Sequence, residues 1–371
     1  MPAEAFAPSL CGDLLSYEST VLKAKHKRMR VCDVSVVIPT YNRASLLRRA
    51  LNSVVQQTAR PTEVIVVDDC SEESILQDVK CIVSDFPTDL NIKLILNDKN
   101  LGANHARNKG IFAAGGRYIA FLDSDDLWLP EKLKQQLDAI EKAKAANEKP
   151  VLSATGRYRV DDRGEIIARQ FGGNVLNDQK IRKSNFIGTL SSVVVEAGIA
   201  RQVRGFNETL PASQDWDFFI RLSDHVQYVA IAEPLCVYVD HSHDRITLNY
   251  RKKLLGHIAM YRNHIRRAAK TDETIKAEFL QNITEDYQEL GNRSKAASFF
   301  ASSIALKRCP AGPFRAAAEC VLRGYFRIFP PPSLRQRRYS RYRCAMDRLL
   351  QDESIRAQVS EHRDLIQKLM A

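Results

Sequence analysis

Three carboxylates, Asp123, Asp125 and Asp126, fall within four consecutive positions at the end of an apolar segment, Tyr118 to Leu122. Two like unit charges about 4 Å apart repel by roughly 4 kcal/mol in an intermediate dielectric, so the cluster calls for a cation or for dense hydrogen bonding. Carboxylate oxygens suit Mg²⁺ or Mn²⁺, and Mg²⁺ is commonly held by one or two carboxylates together with substrate phosphates. The run therefore points to a metal-diphosphate site. Taken alone, it reads more simply as a solvated acidic turn after a strand.

The surroundings change that balance. Thr40, Tyr41 and Asn42 follow an apolar run from Val34 to Pro39, and Asp68 and Asp69 follow another from Glu63 to Val67. Between these runs, Leu46, Leu47, Ala50, Leu51, Val54 and Val55 recur at helical spacing, as do Ile75, Val79, Ile82 and Val83. Ile92 to Leu96 predicts a third strand, Asn104 to Ala114 another helix, and Tyr118 to Leu122 the fourth strand. Pro130 opens a helix through Leu133, Leu137 and Ile140, since proline is tolerated in a first turn. Short strands alternating with helices predict a parallel sheet with crossover helices. Ligands bind such sheets at the carboxyl ends of the strands, which is where these three polar clusters fall.

The second half is less regular. Apolar runs lie at Ser191 to Val195 and Tyr228 to Ala232, and Trp216, Phe218, Phe219, Ile220 and Leu222 mark a helix. From about Tyr250 the pattern is helical, with a helical hairpin around Gly291 to Leu306, a break at Pro330 to Pro332 and a basic final stretch.

A chain of 371 residues, 44% hydrophobic and 27% charged, has the composition of a folded globular protein with room for one large domain and an appendage. Eight cysteines without a CxxC pair suggest neither a zinc site nor a disulfide framework, and a reducing compartment fits. No apolar run approaches the roughly 18 residues needed to span a bilayer. The first thirty residues lack the order of a secretory signal. The expected location is cytoplasmic, or peripheral on the cytoplasmic face of a membrane. Of the net charge of +11, much lies in residues 301 to 371, which hold fourteen Lys or Arg against six Asp or Glu. That excess argues against a nucleic-acid groove and toward an anionic membrane surface, with a solvated helix face as the alternative. Nucleotide-binding alternatives lack their loops: there is no GxxxxGK[ST], and the first turn after a strand reads Pro39, Thr40, Tyr41, Asn42, Arg43 in place of GxGxxG.

Four segments together, ValSerValValIleProThrTyrAsnArg at 34 to 43, ValIleValValAspAsp at 64 to 69, AsnLeuGlyAlaAsnHisAlaArgAsnLysGly at 100 to 110 and the strand ending in AspSerAspAsp, resemble family 2 glycosyltransferases. The resemblance covers roughly residues 34 to 245. It implies a GT-A fold, an α/β architecture with a mostly parallel sheet flanked by helices, here with a helical C-terminal appendage. The implied organisation is an N-terminal extension over 1–32, the transferase domain over 33–249 and a helical, basic region over 250–371. The implied activity is inverting transfer of a sugar from a nucleotide diphosphate, UDP favoured, to a hydroxyl of a glycan or lipid-linked acceptor, assisted by Mn²⁺ or Mg²⁺. A sugar-nucleotide or glycan-binding protein that kept the fold without catalysis is the competing reading.

The resemblance also assigns residues. Pro39, Thr40, Tyr41, Asn42, Asp68, Asp69, Asn104, Arg107, Asp123 and Ser124 are expected on the donor. Asp69 would accept a hydrogen bond from the pyrimidine, and Tyr41 would stack on the nucleoside unless it is a core tyrosine. Arg107 would face the phosphates unless it forms a structural salt bridge, and Asn104 and Asn108 would bind or merely cap. Asp123, Asp125, Asp126 and His241 are the expected metal set, with His243 competing with His241. Asp215 is the expected base, Asp217 the alternative, and Gln214 stands where the family usually has Glu. Phe314, Val321, Leu322, Tyr325, Phe326 and Ile328, interspersed with Arg315, Arg323 and Arg327, predict an amphipathic segment that either docks on a membrane or packs into the appendage.

Overall fold

A computed structural model describes residues 30–87, 90–173, 178–240, 249–309, 311–328 and 345–370. Most of the expected extension, and both His241 and His243, lie outside the described residues. Strands β1 (Arg30–Thr40), β2 (Ala59–Asp68), β3 (Ile92–Leu96) and β4 (Tyr118–Phe121) pair in parallel in the order β3, β2, β1, β4. Successive side chains leave a strand on opposite faces, and the core divides accordingly. Val34, Val36 and Ile38 of β1, Val64 and Val66 of β2, and Tyr118 and Ala120 of β4 enter one cluster. Val37, Ile65, Val67, Ile119 and Phe121 enter the other. A strand buried on both faces reads as an unbroken apolar run, which is why these segments were legible without alternation.

Helices α1 (Ala44–Val55), α2 (Glu73–Asp85) and α3 (Ala103–Ala113) make the crossovers. The buried stripe of α1 is Leu47, Ala50, Leu51 and Val54, the spacing predicted. α3 lies against β1 so closely that a Cβ at Gly110 would come within 2.3 Å of Val37. A glycine inside a helix costs about 1 kcal/mol against alanine, and here it permits the approach that brings Arg107 to the sheet edge.

The strand order reverses at β1, with β2 on one side and β4 on the other, so a crevice opens at their carboxyl ends. Beyond β4 the sheet becomes mixed. After β5 (Leu127–Trp128) and α4 (Lys132–Ala146) come β6 (Val151–Val160), β7 (Ile166–Gln170), β8 (Val193–Glu196) and β9 (Gln227–Val239). β8 runs antiparallel to both β4 and β6, β7 antiparallel to β6, and β5 antiparallel to β9, while β6 and β9 are parallel. The parallel pattern thus describes the first four strands; strand direction in the rest depends on connections that local periodicity does not encode. Short helices α5 (Asp178–Lys183) and α6 (Ala197–Gln202) and the longer α7 (Gln214–Ser223) complete this half.

Helix α8 (Tyr250–Met260) continues through a π-helical turn at Tyr261–Ile265 into α9 (Arg266–Ala268). α10 (Glu273–Glu289) and α11 (Arg293–Arg308) form the hairpin, followed by α12 (Pro313–Ile328) and α13 (Glu353–Met370). Met260, Ile275, Phe279 and Ile283 join the same core as Trp216 and Phe218, with the rings of Trp216 and Phe279 5.3 Å apart, so apolar packing continues across residue 249. α13 returns to the sheet, where Val359, Ile366 and Leu369 meet Tyr158, Val160, Val237 and Val239. On α12, Phe326 packs edge-on against Phe300 at 4.9 Å, while Val321, Tyr325 and Ile328 are 72%, 53% and 74% exposed. Among the described residues no helix is long and apolar enough to cross a membrane.

Candidate active site

A cavity of about 590 Å³ opens at the crevice. Its wall includes Pro39, Thr40, Tyr41, Asp69, Arg107, Asp123, Ser124, Asp125 and Asp215, drawn from five separate segments: the ends of β1, β2 and β4, helix α3 and the first turn of α7. The three carboxylates on which the sequence reading turned, Asp69, Asp125 and Asp215, therefore face one space.

The turn after β1 is locked from beneath. Asn42 adopts φ 51, a left-handed conformation that asparagine tolerates. Its N–H donates to the Ser71 hydroxyl at 2.8 Å and its side-chain oxygen accepts from the Glu72 N–H at 2.8 Å. Asp68 is buried and accepts from the Ser71 N–H and hydroxyl at 2.8 and 2.6 Å. Neither Asn42 nor Asp68 lines the cavity; their polar groups tie the β1 and β2 loops together. Asn104 donates to the Asn207 carbonyl at 3.1 Å while its side-chain oxygen is buried without a partner, and Asn108 donates to the Phe206 carbonyl at 2.9 Å. None of these four side chains lines the cavity, and the hydrogen bonds they make brace the surrounding loops.

Asp69 reaches the cavity with its carboxylate held by the Asn97 side chain at 2.8 Å and the N–H groups of Leu101 and Gly102 at 3.1 and 2.6 Å. The Thr40 hydroxyl and the Arg107 Nε are buried without a hydrogen-bond partner. Buried polar atoms without partners are rare enough to need a reason, and both residues line this cavity.

The acidic run divides its labour. Asp123 accepts from Arg107 at 2.6 Å and Asp125 from Arg43 at 2.9 Å, and both line the cavity. Asp126 does not. It is 1% exposed and accepts from the hydroxyls of Ser191 at 2.6 Å and Thr189 at 3.2 Å. Ser191 in turn accepts from the Asp123 N–H at 3.0 Å, and its carbonyl accepts from the Trp128 indole at 2.7 Å. Asp126 thus sits behind the motif and off the cavity wall, apart from the expected metal pair Asp123 and Asp125: its Oδ2 accepts from both hydroxyls and its Oδ1 from the Val239 N–H at 3.4 Å.

Among the described residues no cluster of three acidic, His or Cys side chains is arranged for a metal ion. Two carboxylates on a cavity wall, with substrate phosphates completing the shell, is nevertheless a donor set that hard divalent cations accept. Asp123 and Asp125 fit Mn²⁺ or Mg²⁺ in that sense.

Asp215 enters from the first turn of α7, just after Ser213 at φ 62. Its carboxylate accepts from the Asn185 side chain at 2.8 Å and from the Trp216 N–H at 2.8 Å. Burial pushes its pKa upward and Asp123 adds to that; the Trp216 N–H, Arg107 and Asn185 oppose without reversing it. Asp217, the alternative, is buried between Arg221 at 2.7 Å and His264 at 2.7 Å. Burial raises the Asp217 pKa, but His264 and Arg221 outweigh it and hold the group below its ordinary value. Asp217 anchors α7 to the helical region, leaving Asp215 as the carboxylate on the cavity.

Several lining residues went unmarked in the sequence: Arg43, Gly188, Thr189, Lys252 and Lys253. Arg43 had a signal, since it closes the first motif. Asn185 and the two lysines had none, because they arrive through tertiary packing of irregular or helical segments.

Residues 35–195 match the family model for Glycosyl transferase family 2. The chain is 30% identical over 247 residues, 62% of its length, to a putative colanic acid biosynthesis glycosyl transferase, WcaA, of Escherichia coli K12, and covers 81% of that protein. The chain belongs to glycosyl transferase family 2. The transferase is also 32% identical over 161 residues to the Escherichia coli protein named UDP-Glc:alpha-D-GlcNAc-diphosphoundecaprenol beta-1,3-glucosyltransferase WfgD, a match covering 43% of this chain and 59% of that one. The matched span is 20% of the length of one curated relative, an uncharacterized glycosyltransferase of Rickettsia bellii, and 81% of WcaA. The fold of the transferase is GT-A: the crystal structure of Staphylococcus aureus TarS 1-349 in complex with UDP-GlcNAc superposes with a TM-score of 0.56 at 21% identity, over 79% of this chain and 89% of that one.

Proposed function

We propose that this glycosyltransferase moves a sugar from a UDP-sugar to a hydroxyl of a glycan or lipid-linked acceptor, with inversion at the anomeric carbon, in the assembly of a cell-surface polysaccharide. The observation that carries this reading is the common cavity of Asp69, Asp123, Asp125 and Asp215. The names of the relatives, one a UDP-Glc-dependent glucosyltransferase and one a colanic acid biosynthesis transferase, support the donor and pathway class.

A carboxylate offers about four lone-pair sites. Asp69 uses three for its own loop, which leaves one for a pyrimidine N–H. Tyr41, 43% exposed on the cavity rim, offers a stacking face, and the unpartnered Thr40 hydroxyl a further polar contact. Arg107 and Ser124 would face the diphosphate, and Asp123 and Asp125 would hold the divalent cation. When bound, Mn²⁺ or Mg²⁺ neutralises charge that builds on the departing diphosphate. Asp215 takes the proton from the acceptor hydroxyl as it attacks the face opposite the leaving group. Its raised pKa makes it a stronger base than an ordinary aspartate and restricts it to the deprotonated form at higher pH. We assign the transferase unit to residues 33–249 and the helical support to 250–371. The exposed Val321, Tyr325 and Ile328, in a basic tail, suit docking at an anionic cytoplasmic membrane face.

The test is a panel of nucleotide sugars with Mn²⁺, following nucleotide release and the anomeric configuration of the product by NMR. Inversion with a UDP-sugar supports the proposal. Binding of UDP with no turnover of any donor would favour a non-catalytic binder.

A further inference from the structure

Three successive residues at the start of α7 are each tied to another segment. Asp215 meets Asn185, two residues beyond α5; the Trp216 indole donates to the Ile181 carbonyl of α5 at 2.5 Å; and Asp217 meets the His264 imidazole at 2.7 Å. His264 completes a triangle, because its own carbonyl accepts from Arg182 of α5 at 3.3 Å. One residue therefore holds α7 by its side chain and α5 by its backbone, and these are the segments that carry Asp215 and lead to Asn185. His264 lies in the π-helical turn Tyr261–Ile265, where the Arg266 N–H bonds back to the Tyr261 carbonyl five residues earlier. Such turns are rare and recur at functional sites. Around it Met260 and Ile265 are fully buried in the core that holds Trp216, and the Tyr261 ring lies 6.1 Å from that of Phe279, so the turn itself is firmly seated.

We infer that His264 is a positioning residue for the Asp215 base: acting through Asp217, it sets the roll of α7 and with it the approach of Asp215 to the cavity and to Asn185. The inference rests on the reading of Asp215 as the base and deepens it, drawing a residue from the helical region beyond 249 into the transfer step. Helix geometry supplies the coupling. Residues two apart stand about 200° from one another around a helix axis. Anchoring Asp217 on the side of the helical region therefore turns Asp215 to the other side, where the cavity lies. The second partner of Asp217, Arg221, belongs to α7 itself and ties its last turn to the Val203 carbonyl at 2.6 Å. That contact fixes the far end of the helix, whereas His264 fixes the turn that bears the base. Both groups of the pair are shielded, with 14% of the His264 side chain and 3% of the Asp217 side chain exposed, so water is a poor substitute for the imidazole.

The experiment measures kcat for UDP release from the donor that the nucleotide-sugar panel identifies, in the full chain, counted per UDP-binding site so that unfolded protein does not contribute. His264→Ala is expected to lower kcat by up to about 100-fold, the cost that a misplacement of roughly 1 Å can carry. Its UDP affinity is expected to stay at the wild-type value, because Thr40, Tyr41 and Asp69 come from the ends of β1 and β2. His264→Gln, whose amide N–H reaches about as far as Nε2, is expected to recover most of the lost rate. On an Asp215→Asn background, where the base is already gone, adding His264→Ala is expected to cost almost nothing more, since residues that act as a unit are not additive. Wild-type kcat in His264→Ala, no recovery in His264→Gln, or the full His264→Ala loss repeated on the Asp215→Asn background would overturn the inference and leave His264 a packing contact. Failure of the base reading shows separately, as wild-type kcat in Asp215→Asn alone, and takes the inference with it.

Discussion

Asn185 donates its amide N–H to the Oδ2 of Asp215 at 2.8 Å, while its amide oxygen accepts from the Gly188 N–H at 3.1 Å. Both ends of the amide are engaged, so its orientation is set and the N–H is aimed at the carboxylate. The contact stabilises the charged form of Asp215, against burial that favours the neutral form. A carboxylate base works deprotonated, so activity falls as pH drops through its pKa. Removing a group that lowers that pKa moves the acidic limb to higher pH. Asn185→Ala is therefore expected to shift the acidic limb of kcat/KM upward, with kcat/KM on that limb falling about 10-fold for each pH unit of displacement. An unmoved limb with lower turnover at all pH values would make Asn185 a packing residue only.

Asp215→Asn keeps the shape and the hydrogen bond from the Trp216 N–H but removes the proton acceptor. Turnover is expected to drop by about 10² to 10⁴ with UDP affinity unchanged, since general-base contributions are of that order. Single-turnover kinetics and calorimetric titration with UDP measure the two separately. Wild-type turnover in this variant would transfer the role to another group.

Neighbouring aspartates of the acidic run are expected to fail in opposite ways. Asp125→Ala removes a cavity carboxylate and is expected to abolish metal-dependent transfer while leaving the melting temperature nearly unchanged. Asp126→Ala strips acceptors from the buried Ser191 and Thr189 hydroxyls and is expected to destabilise the fold by about 1 to 3 kcal/mol. Thermal melts of the two variants decide this, and equal melting temperatures would remove Asp126 from its anchoring role.

Lys132 is fully buried, with its ammonium 4.1 Å from the Trp128 ring centroid and donating to Gln136 at 2.7 Å. Burial pulls its pKa down to about 7, with Cys236 opposing. In the unfolded chain a lysine titrates near 10.4. Between these values the folded protein has lost a proton that the unfolded chain keeps, so stability rises with pH through that window. Relative to Lys132→Met, the wild type should gain stability from pH 7 to 9 at up to about 1.4 kcal/mol per pH unit, read by urea melts. Parallel pH dependences in the two proteins would mean that the lysine keeps its proton in the folded state.

The first four strands and their crossover helices were legible because burial on both faces writes continuous apolar runs and helix packing writes a stripe, both within one segment of chain. The clustering of Thr40, Tyr41, Asp69, Asp123 and Asp125 followed from strand polarity, since parallel strands send all their carboxyl ends to one edge. Individual roles were less legible. Asp125 and Asp126 are adjacent and chemically identical, yet one meets a guanidinium on the cavity wall and the other meets two buried hydroxyls. Nothing in the local sequence separates them, because the partners are supplied by residues far along the chain.

The residues by themselves determined the α/β class, the edge at which ligands meet the sheet, and the carboxylates available there, since these depend on patterns repeated within short segments. Tertiary structure alone decided that Asp215 and not Asp217 reaches the cavity, that Asn185 holds it, and that Arg43 crosses to Asp125. Those contacts join segments 30 to 82 residues apart, and their geometry is set by how the helices pack on the sheet.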